Sequence, residues 1–291
     1  MIRLLKTKRF TLLFSVIGLV LSALSIWAYT QFQTPSQTQV WIMTPQYGAK
    51  LHPDSCYFEL KAKPLDRAGE LKVLSWNIYK GQRDSWAKEL QRVSVGSDLV
   101  LLQEVRLSSA FLDYLQRHRI YAQLVRAFDY AGASAGVMTL STQSPVSACG
   151  LLTTEPLLRL PKSLLVSEYP LTNGQRLLVV NLHSINFSMG MDAFETQLGL
   201  AEQALLTHKG PMILAGDFNT WRDARVAALR KVANTLGLIE VDFTPDARMS
   251  VFGHHLDHMF YRGLQLIKAE APTSDASDHN PMVASFHLLT H

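Results

Sequence analysis

The sequence predicts an α/β sandwich, and three observations predict it. Short apolar runs rich in Val and Leu recur from residue 71 onward, each of strand length. Segments with helical spacing fall between them. Polar residues stop the apolar runs abruptly, as happens where a buried sheet delivers its side chains to one rim.

In chain order, residues 71–75, 98–103, 136–141, 163–169, 176–182 and 212–216 read as strands. Residues 84–93, 107–117 and 222–236 have helical spacing. Another helix begins with the capping pattern Asp192-Ala193-Phe194-Glu195; Leu198, Ala201 and Leu205 then share one face, and Gly210 stops it. The motifs described below spread over everything after residue 70, so dividing that region would divide the site, and 70–291 reads as one domain. The preceding 31–69, rich in Gln, Thr, Pro and charged residues, reads as a linker that packs in part on the domain. Cys56 lies in it and Cys149 in the domain, too few for a disulfide framework; a single staple between linker and body and two free thiols both remain open.

Residues 10–29 form an unbroken uncharged stretch, close to the ~20 residues that cross a hydrocarbon core. Trp27 and Tyr29 stand where an interfacial belt would hold them. Arg3, Lys6, Lys8 and Arg9 precede the stretch and the next basic residue is Lys50, so 1–30 is expected to be a membrane anchor with the remainder outside the cytoplasm, in a bacterial inner membrane. A cleaved signal peptide is the rival, disfavoured by a bulky Ile26 in Ile26-Trp27-Ala28, and retention in the cytoplasm is a further alternative. The same segment explains the charge. The chain carries a formal +4, but four basic and no acidic residues lie in 1–30, leaving 24 Lys+Arg against 24 Asp+Glu. The basic balance therefore reports membrane orientation and is no evidence for a nucleic-acid substrate. Arg106, Arg222 and Arg225 lie beside the motifs as candidates for a local basic rim, with surface solvation the plainer role for each.

The apolar runs end in a consistent set of residues. The 73–76 run stops at Asn77, the 99–103 run at Glu104, the 177–182 run at His183, and Pro211-Met212-Ile213-Leu214-Ala215 at Gly216-Asp217-Phe218-Asn219. Asp257 and Asp278-His279 stand instead before their runs, so antiparallel late strands would bring them to the same rim. That gathers oxygen ligands for a hard divalent cation, with imidazoles and a carboxamide left for a phosphoryl group. For the Asp and Asn of 217 and 219, turn formation is the plainer alternative. Alternation within a strand places His258 on the face opposite Asp257.

Trp76-Asn77, Gln103-Glu104, Asn181-Leu182-His183, Gly216-Asp217-Phe218-Asn219, Leu256-Asp257-His258 and Ser277-Asp278-His279-Asn280-Pro281, in this order, resemble the endonuclease/exonuclease/phosphatase superfamily over roughly residues 70 to 288. The resemblance implies a four-layer α/β sandwich of the deoxyribonuclease I type, preceded here by the N-terminal hydrophobic helix. It implies Mg²⁺ (or Mn²⁺) held by Asn77, Glu104 and Asp278. Glu104 is also the best ligand by its own position, since an unpaired carboxylate ending an apolar strand is costly. Asp217 is expected to orient and deprotonate an attacking water, and Asn219 to donate to the phosphate. His279 contacts the phosphate with Asp257 fixing its tautomer and favouring its cation. His183 resembles a second histidine that contacts phosphate or protonates the leaving oxygen. The segment 184–190 is a candidate wall of the substrate pocket. No counterpart is evident for the extra acid of deoxyribonuclease I or the catalytic tyrosine of apurinic endonucleases, although Tyr121 and Tyr130 lie in the general region.

The expected function is divalent-metal-dependent hydrolysis of a phosphodiester by activated water. The substrate is a phosphate ester: nucleic acid, a phospholipid headgroup or a small phosphodiester. A phosphomonoesterase on the same fold, or a noncatalytic module that binds a phosphate ligand, are the alternatives.

Overall fold

The computed structural model describes residues 14–24, 26–27 and 30–289. Two mixed sheets lie face to face. The first runs in the order Leu264–Glu270, Met282–Leu288, Glu70–Asn77, Leu99–Arg106, Ala133–Ser141, Tyr121–Val125, Val40–Thr44, Gly48–His52. The second runs Ile239–Glu240, Asp257–Arg262, Met212–Asp217, Arg176–His183, Pro161–Pro170, Ser147–Thr154, Cys56–Phe58. Glu70–Asn77 and Leu99–Arg106 pair in parallel, as do Arg176–His183 and Met212–Asp217. The late strands Asp257–Arg262 and Met282–Leu288 run antiparallel to their neighbours, so their starts share the rim where the parallel strands end.

Period-two alternation sorts the apolar residues into three cores. Leu71, Val73, Leu99 and Leu101 meet Leu177, Val179, Ile213, Ala215 and Met259 between the sheets. The alternate residues Leu74, Trp76, Val100 and Leu102 face outward and are covered by Leu90, Phe111 and Leu115 from the helices Trp86–Val93 and Ser109–His118. On the other side Leu178, Val180, Leu214 and Phe260 lie under Phe194, Leu198, Leu229 and Val232 of the helices Asp192–Leu206 and Asp223–Thr235. The layers are helix, sheet, sheet, helix. The Ser108 hydroxyl accepts from the Phe111 N–H to open one helix, and left-handed Arg119 closes it. The capping pattern expected at 192–195 does not form: Met191 is the N-cap and no side chain caps it, although Asp192 and Glu195 suit the positive end of the helix dipole.

One expectation needs revision and another is not confirmed. Residues 31–69 do more than link, because Val40–Thr44, Gly48–His52 and Cys56–Phe58 extend both sheets, and Cys56 forms a disulfide with Cys149 on the neighbouring strand. The expected membrane-spanning helix is not found: part of 10–29 lies outside the described residues, and among the described residues no helix is long and apolar enough to cross a membrane. Its described part is helical, with Leu19, Leu24, Ile26 and Trp27 exposed.

Gly216 is the backbone feature on which the rim depends. Its φ is +147°, and a Cβ there would stand 2.0 Å from the Leu182 carbonyl oxygen of the paired strand. Gly216→Ala is expected to cost about 2 kcal/mol or more, read as a melting temperature lower by roughly 4–8 °C. An unchanged melting temperature would contradict the packing described.

Candidate active site at the rim of the sandwich

The inward rows that build the central core turn polar at one end. Val73 leads through Ser75 to Asn77, Leu101 to Gln103, Val179 through Asn181 to His183, Ala215 to Asp217, and Met259 back to Asp257. Gln103 and Asn181 close the core beneath the rim: the Gln103 Nε2 donates to Asn181 Oδ1 at 2.7 Å, and Asn181 Nδ2 donates to the Met138 carbonyl at 2.9 Å. Above this plug the remaining groups converge.

Asp217 is the centre. It is only 2% exposed. Its Oδ1 accepts from the Asn219 N–H at 2.9 Å, forming the turn after the strand with Asn219 left-handed. Its Oδ2 accepts from Asn77 Nδ2 at 3.0 Å, across from the other sheet, and lies 3.6 Å from His183 Nε2 and 3.9 Å from His279 Nε2. The turn-forming and catalytic readings of this motif thus use different oxygens of one carboxylate. Asn219 spends one amide donor on the Ser184 carbonyl at 3.1 Å.

His279 Nδ1 meets Asp257 Oδ2 at 2.7 Å. Burial pushes the imidazolium down, but Asp257 and Asp217 outweigh it and raise His279 to about 10. It is a cation at neutral pH. His183 is its opposite: burial and the neighbouring Lys162 ammonium push it down to about 4, so it is neutral and its Nε2 accepts from Lys162 Nζ at 3.0 Å.

Glu104 reaches the site through a register shift between Leu102 and Val105, where it adopts φ +54°. One carboxylate oxygen pairs with Lys80 Nζ, and the other lies 3.8 Å from His183 Nε2. Burial pushes this carboxyl up, yet the surrounding positive groups outweigh it and hold Glu104 down to about 2. Asp278 is exposed at the edge, its Oδ1 accepting from Ser277 Oγ at 3.2 Å.

The structure therefore joins Asn77, Glu104, His183, Asp217, Asn219, Asp257 and His279 in one depression, with Asp278 on its margin. His258 points away, bonded to Thr220 Oγ1 and Glu240. Arg225, expected on a basic rim, is fully buried and holds the 184–190 loop through the Ile185 and Asn186 carbonyls and Ser188 Oγ. Lys80, Lys162 and Glu155 were not anticipated. Lys162 begins a strand antiparallel to Arg176–His183, so the rule that placed Asp257 at the rim applies to it as well. Glu155 Oε1 accepts from the Asn186 and Phe187 N–H groups, at 2.8 Å each.

A metal has two places to consider. Asp217, Asp257 and His279 offer ligand atoms within 4.8 Å of one another, so this buried group could hold an ion. Its histidine, however, is tied to Asp257 and cationic. Glu104, an ionised carboxylate that already attracts the Lys80 ammonium, is an oxygen donor of the kind a hard divalent cation takes, whereas Asn77 Oδ1 accepts from the Tyr79 N–H at 3.1 Å.

The chain has relatives in sequence and in fold. The chain is 44% identical over 259 residues to a UPF0294 protein of Vibrio campbellii, covering 88% of this chain and 91% of that one. It is 43% identical over 243 residues to a UPF0294 protein of Erwinia tasmaniensis, covering 84% and 88%. Among solved structures, an endonuclease/exonuclease/phosphatase from Beutenbergia cavernae superposes with a TM-score of 0.58 at 17% identity, covering 75% of this chain and 72% of that one. The human Nocturnin catalytic domain with bound sulfate gives 0.58 at 18%, covering 79% and 98%. D. rerio TDP2 complexed with a single-strand DNA product gives 0.57 at 19%, covering 75% and 99%. At these identities the structural matches speak for the fold. The model of the endonuclease/exonuclease/phosphatase family matches residues 74–279, and the chain belongs to that family.

Proposed function

We propose that this protein hydrolyses a phosphodiester with an activated water in a divalent-metal-dependent reaction. The observation that carries the reading is the charge order at the rim: ionised Glu104 and buried Asp217 facing a cationic, Asp257-bound His279. Family membership supports a phosphoester hydrolase.

The chain's own residues supply most of the chemistry. Asp217 Oδ2, held by Asn77, accepts a proton from water as the water oxygen attacks phosphorus; the ester P–O bond breaks and the leaving oxygen takes a proton from solvent, releasing an alcohol and a phosphomonoester. His279 Nε2 lies 3.9 Å from Asp217 Oδ2, placed to hold the phosphoryl oxygens as they gain negative charge. Asp257 positions the ring and keeps it charged. Lys162, aimed by neutral His183, is a second anchor for the phosphate. Asn77, Glu104 and Asp278 would hold Mg²⁺ or Mn²⁺, which would supply charge neutralisation of a phosphoryl oxygen.

The catalytic domain is further proposed to work outside the cytoplasm behind an N-terminal anchor. The charge bias of 1–30 and the Cys56–Cys149 bridge support this, since disulfides persist in oxidising compartments. A fusion of alkaline phosphatase after Thr30 is expected to be active; activity only of a cytoplasmic reporter there would reverse the topology.

The reaction is tested with the purified full chain on bis-p-nitrophenyl phosphate, p-nitrophenyl phosphate, DNA, RNA and sphingomyelin, with Mg²⁺ or EDTA. Diester hydrolysis that needs metal and falls roughly 10²–10⁴-fold in Asp217→Ala and Glu104→Ala is expected. Preference for the monoester would favour the phosphomonoesterase, and a folded protein inert on every substrate would favour a binding module. Asp257→Asn is expected to lower kcat more than it raises KM while His279 loses its raised pKa. An unchanged kcat would remove Asp257 from the mechanism.

A further inference from the structure

A cavity of about 420 Å³ opens beside Glu104, His183 and Lys162. This lies within the ~300–1,000 Å³ of small-molecule sites. Its lining carries the cationic side chains Lys80, Lys162 and Arg106 beside the carboxylates Glu104 and Glu155; the Arg106 Nε has no hydrogen-bond partner among the described residues. Much of the rest is apolar, with Phe32, Phe128, Leu158, Leu160 and Phe187. Taking the phosphodiesterase reading as its basis, we propose that this cavity receives the alkyl or acyl chain of an amphiphilic phosphodiester, a lipid-like molecule whose phosphate sits at the Glu104 end.

Three observations favour a chain over a nucleobase. A base needs an open aromatic face, but Phe32 stacks on Tyr130 at 4.9 Å with Phe128 tilted against it, and the Arg106 guanidinium lies 5.4 Å from the Tyr130 ring. Phe32, Phe128 and Tyr130 thus pack on one another. A nucleic acid also needs a basic track, and beyond residue 30 the chain is neutral. Finally, the loops at the mouth carry exposed apolar side chains: Leu157 and Leu158 on one, Phe187 and Met189 on the other, the last 89% exposed. Glu155 ties these two loops together through the Asn186 and Phe187 N–H groups. The exposed apolar helical residues before Thr30 lead within two residues to Phe32 in the cavity wall, so an apolar phase around that segment would adjoin the opening. Exposed apolar surface of this kind marks a place of contact.

The test compares ethyl, octyl and thymidine 5′ p-nitrophenyl phosphate diesters, below any micelle concentration, on the full chain. A buried methylene is worth about fourfold, or ~0.8 kcal/mol, so kcat/KM is expected to rise at least tenfold from ethyl to octyl. In Leu158→Ser and Phe187→Ser, both at half-exposed or exposed positions, the octyl-to-ethyl ratio is expected to fall toward one. Equal rates for ethyl and octyl, or preference for the thymidine ester, would overturn the proposal. If no diester turns over, the phosphodiesterase reading fails separately, and calorimetry of octylphosphonate against ethylphosphonate decides the cavity: at least tenfold tighter binding of octylphosphonate supports the chain site, and equal binding overturns it.

Discussion

The contact between Asn77 and Asp217 is the constraint on which the site depends. It joins the last inward residue of one sheet to the last inward residue of the other, 3.0 Å apart and out of water. A buried carboxylate left without partners would be costly. Here it receives Asn77 and the Asn219 N–H, and two imidazoles lie within 4 Å. The sandwich is thus closed at its rim by polar bonds where apolar packing ends, and the same bonds fix the groups that face a substrate.

Those two imidazoles differ because their second neighbours differ. Asp257 makes His279 a cation, whereas burial beside Lys162 leaves His183 neutral. A strand-end histidine therefore has no fixed role; the charge beside it assigns one. Sign also sets how each group responds to acid and base. The raised His279 contributes stability that is complete below its unfolded value and is lost as pH rises through about 10. Glu104, lowered to about 2, contributes stability present above its ordinary value and lost as pH falls through that point. Between about 4, above which His183 is neutral, and about 10, these three groups keep one charge pattern, which suits a site that binds an anion and still holds an ionised carboxylate near it.

Much of this was legible in the sequence because both sheets obey a period of two. Val73, Leu101, Val179 and Ala215 announce the inward face, and the polar residues two or more places on must then share the rim. What escaped had a physical reason. The strands Val40–Thr44, Gly48–His52 and Ser147–Thr154 are mixed in character, and their pairing with distant strands decides their conformation. The bulge that turns Glu104 toward the cavity shows in the register shift between Leu102 and Val105 and in the φ of Glu104, neither of which the sequence pattern marks. Arg225 reads as a surface residue in a helix, yet Phe194 and Trp221 enclose it while loop carbonyls satisfy it. Lys162 belongs to no motif, although strand direction would have placed it.

The chemistry of the rim turns most directly on the unequal charges of His279 and His183. Nitrogen NMR of the histidine rings in the metal-free protein at pH 8 reads both at once. His279 is predicted to be doubly protonated and His183 neutral, with Asp257→Asn converting His279 to the neutral form. Two neutral rings at pH 8, or a His279 that titrates at the ordinary 6.5, would contradict it.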